Sequence, residues 1–226
     1  MERLAARLGY TGRHLRRAFE REFDVTPSQY LQTCRLQLAK SLLADTDLPI
    51  SQVAVASGFG SVRRFNDVFK QNYRLTPSDL RKRGNRQARF EGAIVMRLGY
   101  RPPYRFDDLL GFFRLRALDG VEVVGDDFYA RTVRIFSGEG DAVTGWVRVS
   151  NDADRNALAV TMSESLLPAT SQIMARLRRQ FDTDCDPCAV YEGIASLDEA
   201  VSGAAVPGTR LPGCFDGVET AVRAIL

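Results

Sequence analysis

A cluster of basic side chains near the start of this 226-residue sequence is the first feature that could do chemistry. It consists of Arg13, His14, Arg16 and Arg17. A guanidinium group can pair bidentately with guanine or with a phosphate, so the three arginines are candidate contacts to nucleic acid. His14 is the only histidine of the chain, and it fits a flanking or phosphate contact better than a base contact.

A second cluster of the same kind begins at Val62. Arg63 and Arg64 are its best candidates for contacts to bases or phosphates. Val62 could touch a thymine methyl group, and Lys70 lies on the same outward face. Phosphate would repel Asp67, so this carboxylate either orients a neighbouring arginine or accepts a hydrogen bond from a cytosine amine.

Other reactive side chains are sparse. Cys185 and Cys188 have the spacing of a redox pair or of half a zinc site, but a structural zinc site needs a second pair, which the sequence lacks. Cys34 and Cys214 fall in different halves of the chain, and we expect both to be small buried apolar residues. We therefore expect no metal site and no cofactor.

The two basic clusters belong to two copies of one sequence pattern. Residues 4–28 and 53–78 each contain a short apolar segment, a glycine with an aromatic neighbour, a longer amphipathic segment and Thr-Pro-Ser. The copies are offset by 49 residues up to the glycine and by 50 residues after it. This arrangement is typical of a helix-turn-helix, with Thr11 and Ser61 as caps of the second helix in each copy.

Apolar residues at helical spacing predict which positions of the two copies are buried. In the first copy, where the second helix should run from Gly12 to Phe23, these positions are Leu4, Ala5, Leu8, Leu15, Phe19 and Phe23. In the second copy Val53, Ala54 and Ala56 make the first helix, and the second helix buries Phe65 and Phe69. The basic clusters then point outward, as the exposed face of a recognition helix does in a major groove.

A longer helix should connect the two copies. Pro27 suits its first turn, and Leu31, Cys34, Leu38 and Leu42 are predicted to form its buried side. Such a helix spans roughly 24 Å and would hold the two recognition helices about one DNA turn apart, roughly 34 Å. One chain could then occupy two successive major grooves, so we expect a monomer on double-stranded DNA.

Charge is distributed unevenly along the chain. Residues 1–89 contain 17 Arg and Lys against 8 Asp and Glu, a net charge of +9, whereas residues 90–226 contain 14 against 20, a net charge of −6. The basic half should be attracted to a polyanion. No apolar run could span a membrane and the first residues do not form a signal peptide, so we expect a cytoplasmic protein without a membrane partner.

The second copy carries a family resemblance. Residues 58–69, Gly-Phe-Gly-Ser-Val-Arg-Arg-Phe-Asn-Asp-Val-Phe, followed by Leu-Thr-Pro-Ser-Asp-Leu-Arg at 75–81, resemble the signature of AraC-type transcription regulators. The resemblance covers residues 1 to 84 and implies that Arg13, Arg16, Arg17, Val62, Arg63 and Arg64 face DNA. RNA polymerase is a candidate second partner for a regulator of this type.

After the basic linker the periodicity changes. A strand is predicted over residues 90–98, a helix over 105–118, strands over 121–135, 142–149 and 157–162, and a second helix over 169–181. The fold class predicted for the chain is therefore an all-α tandem helix-turn-helix domain followed by an α+β domain, an antiparallel sheet with covering helices.

A second resemblance is carried by Tyr100–Tyr104, Leu110–Phe113, Val121–Arg131 and Arg210–Leu226. In these residues the second half resembles the N-terminal domain of AlkA-type DNA-3-methyladenine glycosylases. In that family the tail opens a helix-hairpin-helix domain, which holds the catalytic aspartate, so no catalysis is expected from residues 1–226. The implied division is 1–84 for DNA binding, 85–94 as linker, 95–212 as AlkA-like domain and 213–226 as the start of a truncated domain.

Three functional hypotheses follow. We favour a DNA-binding regulator segment within an alkylation-damage repair protein, of which this chain is expected to be a fragment. In the second, the parent protein is a DNA-3-methyladenine glycosylase that the N-terminal half only targets. In the third, residues 95–226 sense an effector and switch an AraC-type regulator.

Overall fold

The computed structural model describes residues 2–83, 92–137 and 141–225. The chain forms two compact units. The first comprises Met1–Ala44 and Leu48–Gly84, and the second comprises Asn85–Leu226 with the short segment Asp45–Asp47. Most of the predicted linker, residues 85–91, lies outside the described residues. No helix of the described residues has both the length and the apolar composition needed to cross a bilayer.

The described part of the first unit consists of helices, as predicted. They are α1 (Glu2–Arg7), α2 (Gly12–Phe23), α3 (Pro27–Asp45), α4 (Ile50–Ala56), α5 (Val62–Tyr73) and α6 (Pro77–Arg83). The hydroxyl oxygens of Thr11 and Ser61 accept hydrogen bonds from the third amide of α2 and α5, and both helices end at a left-handed residue, Asp24 and Arg74. The two copies of the internal repeat thus share the same backbone structure, including the caps at both ends of the second helix.

The second copy has the compact core that its pattern predicts. Val53 and Ala54 of α4 and Phe65 and Phe69 of α5 are fully buried. The ring of Phe59, in the turn, lies 5.2 Å from that of Phe65. Burying rings of this size supplies most of the packing energy available to a short helix pair.

The prediction for the first copy was wrong at several positions. Ala5 is buried, but Leu4, Leu8 and Phe23 each keep about half of their surface exposed. Leu15 and Phe19 are only half-buried. Periodicity identifies the apolar side of a helix but not whether another element covers it, and here the exposed rings meet mainly one another.

The long helix α3 buries a different side from the one predicted. Leu42 is buried, but Leu31 and Cys34 are exposed, and the buried side consists of Leu36, Ala39, Leu42 and Leu43. The aromatic ring of Tyr30 instead lies 5.5 Å from that of Phe19. The first turns of α3 therefore cover α2, while its later turns enter the core.

The second unit contains a five-stranded antiparallel sheet, which confirms the predicted fold class. Its strands are β1 (Ala93–Gly99), β2 (Glu122–Val124), β3 (Phe128–Ser137), β4 (Asp141–Asp152) and β5 (Ala157–Ser163), in the order β1-β5-β4-β3-β2. The helices are α7 (Phe106–Arg114), α8 (Thr170–Gln180), α9 (Pro187–Ala200) and α10 (Gly217–Ile225).

Three predictions for this unit need correction. Helix α7 ends at Arg114, and Leu115 is exposed rather than part of a longer apolar face. The run 121–135 is two strands, because a turn at Gly125–Asp127 folds β2 onto β3. Cys214 is exposed, and α9 was not predicted.

A buried polar network joins the sheet to the last helix. Tyr129 Oη donates to Glu122 Oε1 at 2.5 Å, and Arg223 Nη2 donates to the other oxygen of that carboxylate at 2.7 Å. Arg131 contacts Glu219 Oε2 of α10 at 2.7 Å. Because α10 exposes its apolar residues, these ionic contacts, with Phe215 under the Arg131 guanidinium, are what attach it to the sheet.

The turn glycine of the second copy provides a test of this fold. Gly58 has φ +79°, and a Cβ there would lie 3.1 Å from Nε of Arg35. We expect Gly58→Ala to lower the free energy of unfolding by about 1–2 kcal/mol, the cost of a left-handed non-glycine residue. Gly60→Ala is the matched control, since it has open space around it. The measurement is urea denaturation followed by circular dichroism. Equal stability of the two variants would contradict the need for glycine at position 58.

The polar network predicts how stability depends on pH. Burial alone would raise the pKa of Glu122, but hydrogen bonds from Tyr129, the Leu118 amide and Arg223 outweigh it and hold the pKa below its ordinary value of 4.5. A lowered pKa in the folded state stabilises the fold above that value, and this contribution is lost as the pH falls through the folded pKa.

Glu122→Gln should therefore lower stability at neutral pH and flatten its decline in acid. Denaturation followed by the fluorescence of Trp146, the only tryptophan, reports on this unit. Glu192→Gln, at an exposed position of α9, is the control. An acid profile of Glu122→Gln parallel to that of the unchanged protein would count against the network.

Candidate DNA interface

The outward face of α2 is the first part of the candidate interface. Arg13, His14, Arg16 and Arg17 are all exposed, as their positions opposite Leu15 and Phe19 require. The N-terminal end of α2 adds the positive end of a helix dipole, which favours an anion, and the Glu2 carboxylate lies there beside Gly12. The face therefore presents cationic donors next to a helix N-terminus.

His14 has a defined position within this face. Its amide donates to the Thr11 hydroxyl oxygen at 3.2 Å. Its ring stacks on that of Tyr10, with the ring centres 4.9 Å apart and the planes 14° from parallel. The imidazole is therefore held over the turn, beside the arginines, where it can flank a backbone contact. The sequence suggested this role, but not the Tyr10 stack that fixes the ring.

The outward face of α5 is the second part. Val62, Arg63, Arg64, Asp67 and Lys70 are all exposed, opposite the buried Phe65 and Phe69. Asn66 is exposed on the same face, as the helical spacing of the sequence predicts. An outward amide between Arg64 and Asp67 can pair bidentately with adenine.

The two faces differ in chemistry despite sharing a backbone. With the offset of 50 residues, Arg16 and Arg17 of α2 correspond to Asn66 and Asp67 of α5. The first face is therefore cationic, whereas the second mixes cations with an amide, a carboxylate and the methyl groups of Val62. Hydrogen-bonding groups of this variety are what base recognition in a major groove uses.

Ion pairing separates the arginines of the two units. Within the described residues, no carboxylate lies within salt-bridge distance of Arg13, Arg16, Arg17, Arg63 or Arg64. In the second unit, by contrast, Arg131, Arg176 and Arg223 each contact a carboxylate oxygen at 2.9 Å or less. The arginines of α2 and α5 are thus free to meet an external anion.

The cysteine pair lies at the start of α9. Cys188 is exposed and Cys185 is half-buried, while Asp186 between them caps α9 by accepting from the amides of Cys188 and Ala189. Within the described ranges, no three histidine, cysteine or acidic side chains come together as a metal site would need.

Comparison with known families covers both units. Residues 95–216 match the family described as AlkA N-terminal domain. The chain belongs to that family. Residues 4–83 match a second description, helix-turn-helix domain, of the AraC type. The AlkA N-terminal domain thus follows a DNA-binding motif in the same chain, and the resemblances drawn from the sequence are confirmed.

Three relatives of this AlkA-domain chain are informative. The probable bifunctional transcriptional activator/DNA repair enzyme AlkA of Mycobacterium tuberculosis H37Rv is 37% identical over 231 residues, 99% of this chain and 45% of that protein. DNA-3-methyladenine glycosylase 2 of Escherichia coli K12 is 40% identical over 129 residues, 57% of this chain and 42% of the enzyme.

The third relative matches the first unit alone. The probable transcriptional regulator LumQ of Photobacterium leiognathi is 40% identical over 60 residues, 26% of this chain and 24% of that protein. This chain therefore spans less than half the length of each of these three relatives.

Proposed function

We propose that this chain is the DNA-binding, regulatory part of a protein that acts in the response to alkylated DNA. The observation that carries the proposal is the pair of exposed arginine faces on α2 and α5, which have no carboxylate partners among the described residues. Free guanidinium groups in the first turns of the second helix of two helix-turn-helix motifs fit the phosphates and base edges of a major groove. Double-stranded DNA is the proposed ligand.

The two helices would contribute differently to binding. Arg13, Arg16 and Arg17 suit phosphate and guanine contacts, whose strength depends steeply on salt. Asn66, Asp67 and Val62 of α5 match adenine, cytosine and thymine, respectively. We therefore expect α2 to supply more of the affinity and α5 more of the discrimination. Two motifs in one chain can fill two successive grooves, so the protein would bind as a monomer.

Transcription regulation is the proposed consequence of this binding. The Mycobacterium tuberculosis relative is named a transcriptional activator, and an activator bound beside a promoter acts on RNA polymerase. RNA polymerase is accordingly the proposed protein partner.

A role in repair is the second part of the proposal. It is supported by membership of the AlkA N-terminal domain family and by the similarity to a DNA-3-methyladenine glycosylase. Deletion of the gene should sensitise its host to a methylating agent. Complementation with a gene carrying Arg63→Ala and Arg64→Ala separates repair from regulation. It should restore excision of methylated bases but not the induction of transcription by the methylating agent. Normal survival of the deletion strain would contradict the repair role.

Removal of the two α5 arginines tests the interface directly. Arg63→Ala with Arg64→Ala should weaken binding to a DNA site selected from a random pool by about 1–3 kcal/mol for each side chain that reads a base. The measurement is a fluorescence anisotropy titration. Arg105→Ala with Arg155→Ala removes the same charge outside the helix-turn-helix motifs and should bind normally. Unchanged affinity in the first variant would rule out α5 as a reading helix.

The division between the two helices is tested by salt dependence. Arg16→Ala with Arg17→Ala should reduce the slope of log affinity against log salt by up to about 1.8, the loss of two phosphate contacts. Asn66→Ala should leave that slope unchanged and reduce the preference for the selected site over scrambled DNA. The reverse pattern would assign the reading role to α2.

A further inference from the structure

Within the described residues, one face of the sheet in the second unit packs against helices and the other face carries exposed side chains. On β3 the side chains of Tyr129, Val133 and Ile135 are buried against the core. The alternate residues of β3 and β4 point the other way, as the two-residue period of a strand requires. This outer face carries Thr132, Arg134, Phe136, Thr144, Trp146 and Arg148.

Two aromatic rings on this face are exposed where a soluble domain would normally bury them. Phe136 keeps 63% of its surface and Trp146 keeps 43%. Large apolar side chains scattered singly need no explanation, but aromatic rings grouped with cations often mark a binding surface. Here the cations are Arg134 and Arg148.

Strand pairing places the rings and the cations in alternation. Thr132 lies opposite Trp146 and Arg134 lies opposite Thr144, so Arg134 is the diagonal neighbour of Trp146. Arg148 follows Trp146 by two residues on the same face of β4. The Arg134 guanidinium lies 5.3 Å from the centre of the Phe136 ring, and that of Arg148 lies 4.3 Å from the centre of the Phe128 ring. Arg148 Nη2 also lies 3.7 Å from Oδ1 of the exposed Asp127, a partner that a phosphate would displace.

The backbone beneath Trp146 is held by side chains. Strand β5 pairs with β4 only from Val147 onward. Beyond that point the Trp146 amide donates to Oγ of Ser163 at 3.1 Å, and Oγ of Ser165 donates to the Thr144 carbonyl at 2.7 Å. These hydroxyls continue the hydrogen bonding of the missing strand, so the indole is presented on a fixed edge rather than on a loop.

We propose that this face, formed by Arg134, Phe136, Trp146 and Arg148, binds single-stranded DNA. Unpaired bases would stack on Trp146 and Phe136, and the guanidinium groups of Arg134 and Arg148 would pair with the phosphates between them. Aromatic platforms flanked by cations on an open sheet are suited to unstacked bases, whose flat faces are accessible. This site is independent of the helix-turn-helix faces.

Charge favours a single strand over a duplex at this site. Residues 90–226 have a net charge of −6, so the unit as a whole does not attract a polyanion at long range. Binding must then come from stacking at short range, and a duplex keeps its bases stacked on one another. Two phosphate contacts predict a shallow salt dependence, a slope of about −1.4 in log affinity against log salt.

The single tryptophan of the chain makes the test direct, because the only intrinsic indole signal comes from this face. Titration of the 226-residue protein with a short oligothymidylate should quench Trp146 fluorescence to saturation, and a duplex of the same length and random sequence should quench it much less. Phe136→Ala should weaken oligothymidylate binding about tenfold, the loss of one stacked base. Leu115→Ala, another exposed apolar residue of this unit, should bind normally.

Further variants separate this proposal from the proposed regulatory function. Arg63→Ala with Arg64→Ala should leave the quenching by oligothymidylate unchanged, because it acts on the helix-turn-helix alone. Trp146→Ala, followed by anisotropy of a labelled oligothymidylate, should lose binding while thermal unfolding shows an intact fold. The proposal would be overturned if oligothymidylate did not quench Trp146, or if duplex and single strand quenched it equally. Quenching caused by raising the protein concentration without DNA would also overturn it, because a second copy of the protein would then cover the face.

Discussion

The pairing of arginine with carboxylate is the interaction on which the organisation of this protein depends. Nearly all of its cations are arginines, since only Lys40, Lys70 and Lys82 are lysines. A guanidinium can be neutralised internally by a carboxylate or left to bind an external anion, and the recognition helices of the first unit differ in this from the core network of the second unit. The first unit keeps its recognition-helix arginines unpaired. The second spends Arg131, Arg176 and Arg223 on its own structure.

Internal pairing has a structural consequence in the second unit. Arg131 is buried on the core side of β3, where a charge without partners would be very costly. Glu122 and Glu219 supply those partners, and Glu219 belongs to α10. The same two carboxylates bind Arg223, so one network neutralises a buried cation and attaches a helix whose apolar residues do not face the sheet. The tail and the sheet edge therefore depend on one another.

The sequence was sufficient for the folds of both units but not for every buried surface. The caps at Thr11 and Ser61, the bounds of α2 and the α+β class follow from local patterns, and the structure confirms them. Burial at Leu8, Phe23, Leu31 and Cys34 was predicted wrongly, because it depends on which element lies over a helix, and periodicity is silent on that point. Helix α9 was missed since most of its surface is exposed, so it has little apolar periodicity to detect.

In the candidate site, too, the sequence predicted which residues are exposed but not every contact between them. Outward positions of α2 and α5 could be predicted from the sequence because the spacing of the apolar residues indicates which side of each helix faces away from solvent. The Tyr10 stack on His14 could not, since it needs the geometry of the turn. Because both copies share one backbone, the difference between Arg16-Arg17 and Asn66-Asp67 is purely one of side-chain chemistry. A repeated fold therefore presents two unlike surfaces, and a bound DNA site should be asymmetric, with a half that tolerates sequence change and a half that does not.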